Sequence, residues 1–104
     1  MDASVVYITC KDAAEAKSIA KETIENRLAA CGNIQQNVTS IFLWKGKVDE
    51  ENEVTLLLKT RTALVNRIRT LVKKMHSYEC PCIINYKIEG NPEFIRWIFE
   101  NTQS

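Results

Sequence analysis

The chain has 104 residues, of which 45% are hydrophobic and 26% charged, and its formal net charge is +1. That length holds one domain, residues 1–104, with a modest core, and the composition excludes a disordered chain. Near-neutral charge gives no global pull toward nucleic acid or an anionic membrane; with no apolar run near 18 residues and no basic-then-apolar start, the expected compartment is the cytoplasm.

Residues 5–10 run Val5, Val6, Tyr7, Ile8, Thr9, Cys10, a β-branched and aromatic stretch too short for a helix, and read as a buried first strand. Asp12 followed by Glu15 has capping-box spacing. Ala16, Ile19, Ala20, Ile24, Leu28 and Cys31 then recur at helical intervals up to Gly32, which is expected to end the first helix with Cys31 as a core-facing thiol in its last turn.

The period changes to two over residues 34–44. Ile34, Val38, Phe42 and Trp44 are expected on one face, with Ile41 and Leu43 making the other apolar as well. Lys45-Gly46-Lys47 supplies a turn, acidic Asp49, Glu50 and Glu51 follow, and residues 54–58 read as the returning hairpin strand. A sheet covered by helices on one side needs one apolar face only, so the second apolar face calls for a copy of the chain to bury it.

Thr60 or Thr62 is expected to cap a second helix whose stripe is Leu64, Val65, Ile68, Leu71, Val72 and Met75. Its other face carries Arg61, Arg67, Arg69, Lys73 and Lys74, without interleaved aromatics to receive bases, and reads as solvated. Cys82, Ile84, Tyr86 and Ile88 alternate along a last strand ended by Gly90. Asn91-Pro92 then opens a short, unusually apolar terminal helix.

Between the second helix and the last strand lies residues 75–84, a stretch holding the single histidine, one of two methionines and two of four cysteines. In a chain expected inside the cell, these cysteines read as thiols and not as a disulfide framework. The element order is the βαββαβ of the ferredoxin-like α+β sandwich, followed by a C-terminal helix. Right-handed crossovers set the end of the first strand beside the start of the fourth. Cys10 therefore approaches residues 80–82, and the second helix delivers Met75 and His76 to the same corner. Cys10, Met75, His76 and Cys82 form a candidate metal site, with Cys80 as the alternative thiol. Such sulfur-rich donors suit Cu(I), and thiolate and imidazole also suit zinc. Cysteine, methionine and a helix-ending histidine are each more often plain core or capping residues, which is the competing reading of the stretch.

Over essentially its whole length the chain resembles the CutA family of divalent-cation tolerance proteins. The resemblance rests on Arg27-Leu28-Ala29-Ala30-Cys31 with Asn33, Trp44 with Gly46-Lys47, Glu53, Leu58-Lys59-Thr60, His76 with Tyr78-Glu79 and Pro81, and Trp97-Ile98. It implies a ferredoxin-like fold assembled as a homotrimer through the long hairpin and sheet edges, and a role in tolerance to divalent metals, copper above all. Where copper ligands are described in that family, they are a Cys ending the first strand, a His just before the motif histidine, and an acid just after the motif proline. The first falls on Cys10, but the others fall on Met75 and Cys82, a substitution that shifts the set toward soft, monovalent copper. The proline usual after the motif histidine is Ser77 here.

Two further functions compete with metal binding. A trimeric module similar in architecture to the nitrogen-regulatory PII proteins would take a small ligand or a protein in a cleft between subunits, with Lys47 or Lys59 meeting an anion. An enzyme built on Cys82 and His76 lacks an orienting third group and an oxyanion pocket, and no nucleophile motif supplies them. No enzymatic activity is expected.

Overall fold

A computed structural model describes all 104 residues. The elements run β1 (Ala3–Cys10), α1 (Ala13–Glu25), β2 (Cys31–Trp44), β3 (Lys47–Arg61), a 3-10 turn (Thr62–Leu64), α2 (Val65–Met75), β4 (Ile83–Ile88) and α3 (Pro92–Glu100). The four strands form one sheet in the order β2-β3-β1-β4, and every neighbouring pair is antiparallel. This is the α+β, ferredoxin-like arrangement that the element order predicts.

Alternation in the two central strands decides where the core lies. Val6, Ile8 and Cys10 of β1 and Val54, Leu56 and Leu58 of β3 join Ala16, Ile19 and Ala20 of α1 and Val65, Ile68 and Val72 of α2 in one buried cluster. These even-numbered strand residues face the helices, and burying each large aliphatic side chain contributes about 1.5–3 kcal/mol. Odd-numbered residues such as Thr9, Glu53 and Thr55 point to the other face. Ile98 of α3 is fully buried but lies outside that cluster; Arg61 holds the end of α3 by donating to the carbonyls of Phe99 and Thr102.

Three local expectations are corrected. Helix α1 stops at Glu25, six residues before Cys31, because Arg27 takes a left-handed backbone (φ 56°) and the amides of Leu28 and Ala29 turn back to the Thr23 carbonyl. Gly32 is therefore no helix cap. It sits in β2, where an added Cβ would meet Leu58 Cδ2 at 3.1 Å, so the constraint is close approach of the strand to the core. Cys31 opens β2, half-buried, at the end of the sheet opposite Cys10. The second correction is a bulge between Gln35 and Val38, with Asn37 at φ 61°. Ile34 pairs with Leu56 and packs on the core, whereas Val38 pairs with Glu53, so the bulge moves Val38, Phe42 and Trp44 to the face away from the helices. Third, no side chain caps α2: the Thr62 hydroxyl bonds to Ser4 and that of Thr60 to the Leu28 carbonyl.

The returning strand is also longer than residues 54–58. Asp49, Glu50 and Glu51 lie within it, and the part of β3 before Val54 pairs with β2 alone. Lys45 (φ 50°) and Gly46 (φ 83°) make the two-residue turn that joins them. The result is a two-stranded arm, and it accounts for a long axis of 44 Å in a molecule 21–25 Å across.

Candidate metal centre

Three chain ends meet at one corner of the sheet. Strand β1 ends on Cys10, which is fully buried. Helix α1 begins beside it: Asp12 Oδ1 accepts the Glu15 amide at 2.8 Å, and Glu15 Oε1 accepts the Lys11 amide at 3.1 Å. This is a reciprocal cap, displaced by one residue from the usual box. Helix α2 ends where His76 leaves the helical backbone (φ −76°, ψ 140°), and its ring turns back toward β1. The ligand atoms of Cys10, Glu15 and His76 lie within 4.8 Å of one another.

The hydrogen bonds of His76 define its state. Nδ1 accepts the Tyr78 amide at 3.1 Å, so its lone pair is engaged; Nε2 lies 2.7 Å from the Thr9 carbonyl, which can only accept, so Nε2 carries the proton. The imidazole side chain has no exposed surface, and Glu15 Oε1 stands 4.0 Å from Nε2. Glu15 Oε2 accepts the Ser77 amide at 3.0 Å. Burial alone pushes the Glu15 carboxyl up, but hydrogen bonds from Ser77 and the Lys11 amide, together with the His76 ring, hold it below its ordinary value. Cys10 moves the other way. Burial, then the carboxylates of Glu15, Asp12 and Glu53, push its thiol up to about 12.

Burial of the corner opposes any net charge, and the carboxylates of Glu15, Asp12 and Glu53 that help keep the proton on Cys10 favour a cation over an anion. Sulfur, imidazole and carboxylate are the donor types that zinc and copper accept. The lone pairs are nevertheless committed. An ion at Nε2 has to displace both the proton and the Thr9 carbonyl, and the displaced proton cannot move to Nδ1 without opposing the Tyr78 amide. The corner fits a metal by chemistry and charge, and an arriving ion has to open these hydrogen bonds before it binds.

Of the four residues read from the sequence, Cys10 and His76 come together. Met75 is half-buried and packs against the core cluster. Cys82 is outside the trio. Ile8 pairs with Ile83, so one further step along the ladder sets Cys82 opposite Thr9, on the face away from Cys10. There Cys82 lines a cavity of about 730 Å³ with Cys80, Thr9, Lys11, Phe42, Trp44 and Tyr78. Burial and then Glu53 push the Cys82 thiol up, against a hydrogen bond with Thr9 that lowers it. The Tyr78 hydroxyl donates to Glu53, and burial followed by that bond raises it well above its ordinary value. Asp49, Glu51, Glu53 and Glu79 also line the cavity, against the single cation of Lys11, so it favours a cation over an anion. Lys47 and Lys59 do not line it; Lys59 donates to Asn33 instead.

The sequence marks Glu15 only as a cap, and marks Glu53 and Tyr78 only through the family resemblance, not as a pair. The signal for Glu15 was available: the cap fixes it within one turn of Cys10. No local pattern marks Glu53, which meets Tyr78 only through the tertiary fold.

A profile of the CutA1 divalent ion tolerance protein family matches residues 4–101. The chain is 44% identical over 99 residues to the divalent-cation tolerance protein CutA of Thermus thermophilus, covering 94% of this chain and 96% of that one. It is 39% identical over 102 residues to Protein CutA of Mus musculus, covering 97% of this chain but 58% of the relative, so it spans about three fifths of that mouse protein. Among solved structures it is similar to the periplasmic divalent cation tolerance protein CutA of Archaeoglobus fulgidus, with a TM-score of 0.94, 40% identity, and coverage of 97% of this chain and 99% of that one.

Proposed function

The chain belongs to the CutA1 divalent ion tolerance family, and from that premise we propose that it is a non-enzymatic, trimeric metal-binding protein serving tolerance to divalent cations, copper above all. The observation that carries this reading is the meeting of Cys10, Glu15 and His76 within 4.8 Å, contributed by the end of β1, the first turn of α1 and the residue after α2. Cys10 and His76 supply a soft and a borderline donor, Met75 closes the helix end, and Cys82 offers a thiol on the opposite face. Uptake at the buried trio releases the thiol proton of Cys10, so affinity rises with pH. Copper in the reduced state suits the sulfur content, and zinc is the second candidate.

The trimer reading rests on apolar surface that one copy leaves uncovered. Ile41, Leu43 and Val48 on the arm are 66%, 71% and 76% exposed, and Ile84 and Tyr86 on edge strand β4 are also exposed. A lone two-stranded arm is marginal in water, and an open edge invites pairing. Sedimentation equilibrium at three times the chain mass supports a trimer, and a concentration-independent monomer refutes it. No helix is long and apolar enough to cross a membrane. Thiol ligands work best in a reducing compartment, so we assign the protein to the cytoplasm, although the Archaeoglobus neighbour is described as periplasmic.

Competition of reduced protein against a Cu(I) chelator tests the metal reading. The double variant Cys10→Ser with Cys82→Ser is expected to lose most of the affinity, and unchanged affinity means that the site is misassigned. The second reading, a PII-like module, draws on the 730 Å³ cavity, whose size suits a small ligand. Its acidic lining favours a cationic ligand, and metal-independent binding of an anionic metabolite sensitive to Lys47 or Lys59, which lie outside this cavity, would turn the choice toward a cleft elsewhere between subunits.

A further inference from the structure

The trio at the corner uses one of the four cysteines, and Cys31 lies at the far end of the sheet; two thiols remain together. Cys80 and Cys82 flank Pro81 and open into the same cavity. Both are free, with Cys80 exposed and Cys82 half-buried, and they are near enough for the charge of one to act on the other. Pro81 fixes its own φ near −65° and biases Cys80 toward extended conformations. Across an extended step of two residues, Cα atoms stand roughly 6–7 Å apart, at the upper end of what a disulfide spans. The pair therefore resists closing on itself while remaining wide enough for an atom between the sulfurs.

The surroundings select which atom. Glu53 is occupied by Tyr78, but Glu79 shares the cavity, and its lining is acidic overall. A cation is drawn in, and the soft donors waiting for it are thiols. Cys82 keeps one hydrogen bond with Thr9, and neither sulfur is held by a backbone amide as the His76 ring is.

We propose that Cys80 and Cys82 form a second site for a soft ion, Cu(I) in the first instance, at the mouth of the cavity and on the opposite face of the sheet from Cys10 and His76. Binding replaces two thiol protons with one copper(I), giving two S–Cu bonds and releasing two protons to solvent, with no change in oxidation state. The site extends the metal-binding reading above and rests on it for its physiological role, though not for its chemistry.

The test is a competition titration of reduced protein with Cu(I) alone, for the wild type, Cys80→Ser and Cys10→Ser. Cys80 is exposed, so its replacement leaves the fold intact, which circular dichroism verifies. The expected result is that Cys80→Ser weakens Cu(I) binding by more than the roughly 10- to 100-fold that loss of an outer-shell partner costs, while Cys10→Ser retains a tight site. Unchanged binding in Cys80→Ser overturns the proposal. If Cys10→Ser alone abolishes binding, the cavity site fails and the corner stands; if neither variant matters, both fail.

Discussion

Two faces of the same sheet end carry metal-capable side chains, and they differ in what those side chains are free to do. On the helix side, Cys10, Glu15 and His76 are packed, and the imidazole and carboxylate give their polar atoms to backbone groups of Thr9, Lys11, Ser77 and Tyr78. On the open side, Cys80 and Cys82 face a cavity, and the carboxylates around them outnumber the cations. Convergence of donors is common to both, whereas the second is the less committed, with Cys82 bonded to Thr9 alone and Cys80 exposed. The buried trio ties three chain ends together; the thiol pair is open to an arriving ion.

The largest expected effect that separates the faces is on stability. His76→Ala leaves the Thr9 carbonyl and the Tyr78 amide without partners and opens a void, and is expected to cost about 2–4 kcal/mol in urea unfolding. A loss under about 0.5 kcal/mol would remove the structural role assigned to the trio. Tyr78→Phe should cost less, about 1–2 kcal/mol, because it strips the hydroxyl donor from Glu53, which is 8% exposed.

A pH series sharpens the contrast further. Glu15 has a folded-state pKa below its ordinary 4.5, so the unfolded chain binds more protons between the two values. Its contribution is fully present above about pH 4.5 and is lost as pH falls through the folded value. The difference in unfolding free energy between wild type and Glu15→Gln should accordingly shrink below pH 4.5 and stay flat above it. A difference that grows on acidification contradicts the assigned hydrogen bonds. The smallest stability effect belongs to the open face: Cys80→Ser should lie within about 0.5 kcal/mol of wild type while changing copper binding.

Much of this architecture was legible in the letters. Alternation in β1, the stripe of α2 and the Asn91-Pro92 start gave the element order, and chirality of crossovers alone brought Cys10 to His76. What escaped was finer than periodicity resolves. Helical spacing of Leu28 and Cys31 continued past the true end of α1 because Leu28 is buried after the left-handed turn at Arg27, where tertiary packing imitates a helical stripe. The bulge before Val38 inverted a face, and one extra residue leaves no compositional trace beyond Asn37, which tolerates the left-handed backbone. The separation of Cys82 from Cys10 was available from ladder parity, since placing Cys82 opposite Thr9 already puts it across the sheet. The engagement of both His76 nitrogens was not, because it depends on backbone groups invisible to side-chain pattern.

Anomalous diffraction at the copper edge, from crystals of reduced protein soaked with Cu(I), tests most directly whether this end of the sheet holds metal. The predicted result is copper bonded to cysteine sulfur there, with the Cys80–Cys82 pair filled at the lowest loading. Copper confined to surface carboxylates, with no peak near Cys10, His76, Cys80 or Cys82, would contradict the assignment.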